Sequence, residues 1–162
     1  MNAIEVSIRM KADAIRFYRE AADKTKHEAG KKTFLSIADD EKEHFDMLAR
    51  LLKTLDLKSG KSRPGRAAKT IFDEMGEMVD AVTDAVEAFE IAMEIKRKGI
   101  AFYKKAALKA KSRKERALFE RLADEGEQRY NIFADSCFLM NDSSNWYMWE
   151  EHSMTDGGTQ WA

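Results

Sequence analysis

The chain repeats itself at an offset of 85 residues, and this constrains the fold more than any other feature. "IRFYREAADKTK" (15–26) returns as "IAFYKKAALKAK" (100–111). The match runs without gaps from Ala3/Ala88 and Glu5/Glu90 to Phe34/Phe119, Ala38/Ala123 and Asp39/Asp124. A doubled segment of this length is the signature of a duplicated supersecondary unit. Within each copy the apolar residues recur at helical spacing, so the unit is a helical hairpin.

Four helices follow. The first runs from Asn2, with Glu5 three later as in a capping box, to about Thr25, with the stripe Ile4, Ile8, Lys11, Ile15, Tyr18, Ala22. The second runs from about Ala29 to Leu55 with the stripe Phe34, Ile37, Glu41, His44/Phe45, Leu48, Leu52. The third runs from about Asp84 to Ala110, through Phe89, Ala92/Met93, Lys96, Ile100, Tyr103 and Ala107. Ser112 with Glu115 caps the fourth, whose stripe is Phe119, Leu122, Gly126, Arg129/Tyr130, Phe133, Cys137, Met140. Between the halves (about 2–55 and 84–140) lies a crossover, 56–83. It holds the only proline, a basic run (58–69) and a short amphipathic stretch, "TIFDEMGEMVDAV" (70–82). Two short-loop hairpins joined by one long connection predict an all-α, ferritin-like four-helix bundle over residues 1–140. Residues 141–162 form a polar and aromatic tail, whose Trp146, Trp149 and Trp161 predict packing on the bundle or on a partner subunit.

Each stripe is interrupted near its middle. Lys11 is equivalent by the repeat to Lys96, Glu41 to Gly126, and His44 to Arg129, so the interruptions share one predicted level of the bundle interior. A di-metal carboxylate site stands at that level in such bundles, with a Glu from each of two helices and Glu-x-x-His from each of the others.

The doubled pattern resembles the rubrerythrin branch of the ferritin-like family. The residues that carry the resemblance are Phe17-Tyr18, Ala21-Ala22, Phe34, Ile37-Ala38 and Glu41-x-x-His44, then Phe102-Tyr103, Ala106-Ala107, Phe119 and Leu122-Ala123. The segment "EEHSMTDGG" (151–158) is also similar to the ends of some short members without a rubredoxin module. The resemblance implies a di-iron centre and peroxide reduction or ferrous oxidation. It also implies where the ligands should be. The first-helix Glu falls on Lys11, its third-helix counterpart on Lys96, and the second Glu-x-x-His on Gly126 and Arg129. The extra Glu three residues after the third-helix ligand falls on Gly99. Glu41 and His44 alone remain as metal ligands.

An intact set of four carboxylates and two neutral imidazoles matches two divalent cations. Lys11, Lys96 and Arg129 against Glu41 leave the present set at +2. A unit charge pair at about 4 Å and an effective dielectric of about 20 is worth about 4 kcal/mol, and twice that for a divalent ion. Such repulsions outweigh what one carboxylate and one imidazole recover. The expectation is therefore a non-catalytic family member with a degenerate site and no cofactor. Its interior charge would be balanced by Glu41, with Glu94, Glu127, water or an anion contributing. Two alternatives stay open: a single Zn or Fe ion on Glu41/His44, and an iron-dependent oxidoreductase with ligands shifted to Glu43, Glu94 or Glu127 and an external electron donor.

The formal charge of −1 gives no general electrostatic reason for binding nucleic acid or membrane, and no apolar run reaches the ~20 residues of a span. Cys137 is alone, which excludes an internal disulfide and a Cys-x-x-Cys knuckle, and fits a cytoplasmic protein. A homodimer is expected. Tyr18 and Tyr103 read as core residues, and His27 as a loop residue. His152, with Glu150, Glu151 and Asp156, offers a weaker surface metal cluster.

Overall fold

The computed structural model describes residues 3–26, 28–59, 70–76, 79 and 85–141. These form helices α1 (Ala3–Lys24), α2 (Glu28–Ser59), α3 (Ile71–Glu74), α4 (Ala85–Lys109) and α5 (Arg113–Asn141), with no strand among the described residues. No helix there is long and apolar enough to cross a membrane. The fold class is all-α, of the ferritin-like kind. One compact unit reaches to Asp80, and a second extends from Ala81 to Trp161.

In the first unit α1 and α2 pair as a hairpin. Tyr18 stacks on Phe34 with centroids 6.4 Å apart, and Phe17 meets the Tyr18 ring edge-on at 5.2 Å. Tyr18, Phe34, Ile4 and Leu48 are fully buried. The buried face of α1 is rotated slightly from the predicted stripe. Ser7, Met10, Ala14, Phe17 and Ala21 are buried, while Ile8 and Ile15 are half-buried. Thr25 ends α1 by donating its hydroxyl to the Ala21 carbonyl at 2.6 Å, satisfying one of the acceptors that a helix leaves open at its C-terminus.

The short helix α3 belongs to this unit. Thr70 is its N-cap in a full capping box with Asp73. It docks on α1 through three contacts of different chemistry. The Thr70 hydroxyl donates to Asp13 at 3.0 Å, Arg9 meets Asp73 at 3.4 Å, and the Phe72 and Phe17 rings lie 6.1 Å apart.

The second unit repeats the first. Tyr103 stacks on Phe119 at 6.3 Å with 20° between planes, against 22° for Tyr18 and Phe34. Phe102 meets Tyr103 edge-on at 5.4 Å. The sequence repeat is thus a repeat of packing geometry. Ser112 caps α5 by accepting from the Glu115 amide at 3.1 Å, as predicted. The return bond differs. The Glu115 carboxylate accepts from the Lys111 amide at 3.2 Å, one residue earlier than a capping box requires.

Helix α2 continues to Ser59, past the expected end at Leu55, because the first glycine or proline after Leu55 is Gly60. Several predicted features lie outside the described residues: the Asn2 cap, His27, the loop at 60–69, and the tail at 142–162 with its three Trp residues and His152. The side chains of Cys137 and Met140 do as well.

Candidate metal centre

Lys11 lies on the buried face of α1 between Ser7 and Ala14, one helical turn to either side. Both neighbours are small, which leaves room for a long side chain to run along the interface. Glu41 occupies the facing position of α2, in the run Ile37, Ala38, Glu41, Leu48, all buried. The Lys11 ammonium donates to Glu41 Oε2 at 2.5 Å. Their side chains are 9% and 1% exposed, so this is a buried ion pair.

His44, one turn along α2, brings Nδ1 to 3.9 Å from the same Oε2. The oxygen that the imidazole approaches is therefore the one the ammonium holds. The ammonium and the carboxylate balance one another's charge across the helix interface. Removing either partner would strand a charge in a dry setting. The sequence-predicted pair Glu41 and His44 is thus brought together, with Lys11 as a third member.

The equivalent level of the second unit is built differently. Lys96 is buried, at 9% exposure, and Arg129 is half-buried. Gly126 stands where Glu41 stands in the first copy. A Cβ there would meet Ile100 Cγ1 at 3.0 Å, so the isoleucine fills the space a side chain would take. Gly99, on which the resemblance places a further ligand, is buried with nothing within 4 Å of where its Cβ would be.

The carboxylates expected to help neutralise the centre, or to replace missing ligands, are engaged elsewhere. Arg97 donates to Glu94 through Nε at 2.9 Å and Nη2 at 2.6 Å. The hydrogen bond from Arg97 holds the Glu94 carboxyl below its ordinary value, and the charges of Arg97 and Lys98 act in the same direction. Glu127 is paired with Lys104 on the surface of the hairpin. Glu43 is exposed. Among the described residues no group of three or more His, Cys, Asp or Glu side chains is arranged to hold a metal ion.

The contribution of Ile100 was hidden in the sequence. Its equivalent Ile15 reads as an ordinary stripe residue, and only the pairing of Ile100 with a glycine marks the substitution.

Duplicated helical hairpins, with Glu41-x-x-His44 on one and Gly126-x-x-Arg129 at the same register of the other, define a ferritin-like helical protein. The Rubrerythrin family model matches residues 2–136, and the chain belongs to that family. Among solved structures it is similar to a hypothetical protein from Pyrococcus furiosus. The two are 21% identical with a TM-score of 0.65, over 85% of this chain and 87% of that one. At that identity the likeness is one of fold. No curated protein matches the chain.

Proposed function

We propose that this chain is a non-catalytic member of the rubrerythrin family, a helical scaffold in which protein charge has taken the place of the di-iron centre. The observation that carries this reading is the 2.5 Å contact between the Lys11 ammonium and Glu41, both buried at the ligand level of the first hairpin. The residues at the six ligand positions do not fit two iron ions. Three of them are cationic, one is glycine, and the surviving carboxylate already has a cation on it. The ion pair does for the hairpin what a metal does elsewhere, holding α1 to α2 through opposite charges. The reading includes a homodimer in the cytoplasm, consistent with the single cysteine.

A second reading has one observation in its favour. The approach of His44 to Glu41, at 3.9 Å, is compatible with a single Zn or Fe ion bound in competition with Lys11. Elemental analysis of protein expressed in iron-rich medium, with peroxide consumption assayed alongside, separates the two. The expected result is no stoichiometric metal and no peroxide turnover. One metal per chain, lost in Glu41→Gln, would establish the second reading. Two irons per chain would overturn both and make the protein an oxidoreductase with an outside electron donor.

A further inference from the structure

The net charge of −1 is an average over a very uneven distribution, and the repeat supplies an internal control for it. The tip of the second hairpin, residues 104–116, reads "KKAALKAKSRKER": seven basic residues and one acidic, a net +6. The equivalent tip of the first hairpin, residues 19–31, carries four basic and three acidic residues, a net +1. The same backbone unit therefore needs no such charge in order to fold.

The difference is concentrated at the acidic positions of the first tip, every one of which has changed. Glu20 is replaced by Lys105 and Glu28 by Arg113, two charge reversals. Asp23 is replaced by Leu108, which is 84% exposed. Lys105 and Lys109 stand three residues before and one after this leucine in the chain, and both are exposed, as are Lys111, Arg113, Lys114 and Arg116. The only carboxylate in the stretch, Glu115, is turned onto the Lys111 backbone amide, where it serves the helix cap. Lys104 alone among the seven is paired with an acid, Glu127.

We propose that this tip is a docking surface for an anionic lipid bilayer, held at the headgroups by its basic residues with Leu108 inserted between them. Charge complementarity selects an anionic partner. The leucine selects among such partners. A nucleic acid would engage the same cations through its phosphates, but it would leave Leu108 in water, and the stretch contains no aromatic ring on which a base could stack. An exposed apolar side chain in a stretch of exposed long cationic ones suits an interface that is charged at its surface and hydrocarbon a few ångströms below. The surface lies at the turn of the second hairpin and uses none of the residues of the Lys11–Glu41 pair.

Each basic residue held at an anionic bilayer strengthens binding about fivefold, and an inserted leucine adds about tenfold. The test is co-sedimentation of the full chain with phosphatidylcholine vesicles, with and without 30% phosphatidylserine, at low and high salt. Binding is expected only with phosphatidylserine, and it should weaken as salt rises. The variant Lys105→Glu/Leu108→Asp/Arg113→Glu gives the tip the residues the first hairpin carries there, so its helical content by circular dichroism should be unchanged. Its vesicle affinity should fall at least about a hundredfold. Lys24→Glu/Lys31→Glu, which lowers the charge of the other tip by four units against five here, should leave affinity within about twofold if the surface is local. Three results would overturn the proposal: no binding to phosphatidylserine vesicles at low salt, equal losses in the two variants, or duplex DNA bound more tightly than the vesicles.

Discussion

Lys11 and Lys96 occupy the same register of two copies of one hairpin, yet they face different partners across it. In the first copy a full carboxylate stands opposite, and the two charges close on each other. In the second the facing residue is Gly126, and Ile100 leans into the space. The first copy holds an ion pair at this level, while in the second an isoleucine packs where the first has its carboxylate. The aromatic framework around both levels is nearly identical, with Tyr–Phe stacks at 6.4 and 6.3 Å. The lesson is that the hairpin geometry rests on its aromatic and alanine contacts. The residues at this level therefore differ between the copies without disturbing the stacks.

The strongest way to break this comparison is to make the copies alike again. Lys11→Glu/Lys96→Glu/Gly126→Glu/Arg129→His restores a carboxylate or imidazole at four positions and turns the local charge from positive to negative. Two irons per chain are expected by elemental analysis after expression in iron-rich medium. Ile15 holds the equivalent position in a copy where Glu41 has its full side chain, so Ile100 makes room for a glutamate by shifting, at the packing cost that Gly126→Ala measures. A variant that keeps its helical content and stays metal-free would mean that the ligand register assigned through the repeat is wrong.

The ion pair itself gives the next largest effect. Lys11→Met leaves Glu41 buried and charged without its cation, which should cost about 3–5 kcal/mol in urea unfolding. Adding Glu41→Leu to the same chain should recover most of that loss, because an apolar pair of similar volume is often as stable as a buried ion pair. If the double variant is no better than the single, Glu41 is held by something other than Lys11, and the account of the first hairpin fails.

Packing distinguishes the two glycines of the second copy. Gly99→Ala places a methyl group where nothing lies within 4 Å and improves helix propensity, so it should stabilise by about 0.5–1 kcal/mol. Gly126→Ala gains the same propensity but drives Cβ to 3.0 Å from Ile100. The overpacking should exceed the gain and leave the protein destabilised by about 1 kcal/mol. Opposite signs in chemical denaturation would sharpen the contrast between an empty position and a filled one. A stabilised Gly126→Ala would show that Ile100 yields easily.

How much of this the sequence discloses depends on which kind of contact is at stake. The repeat and the two stripes predict that Lys11 and Glu41 face each other, since helix periodicity fixes which residues share an interface. The same periodicity says nothing about competition on one helix. Glu94 was a candidate for the centre, but Arg97 lies three residues on, within reach of both carboxylate oxygens, and takes it. Glu127 is likewise held by Lys104 from the neighbouring helix. The role of Ile100 over Gly126 depends on a side-chain direction that spacing does not encode. The Ser112 cap was legible, but the Glu115 return bond settled on Lys111, a one-residue difference that backbone geometry at a helix start decides.

The smallest effect contrasts a buried carboxylate–cation pair with an exposed one. Glu94 is held below its ordinary value of 4.5, chiefly by the hydrogen bond from Arg97. A carboxyl depressed in the folded state gives stability that is present above its unfolded value and lost as pH falls through the folded one. Glu94 therefore adds a little to the acid sensitivity of the second hairpin below about pH 4.5. In Glu94→Gln the stability lost between pH 5 and pH 3 should shrink slightly, while stability at pH 7 drops by no more than a surface pair contributes. Lys11→Met at pH 7 should exceed it severalfold, because water screens the one pair and hardly reaches the other. Comparable losses from the two variants at pH 7 would mean that burial of the Lys11–Glu41 pair does not set its strength, and the distinction between the hairpins would lose its physical basis.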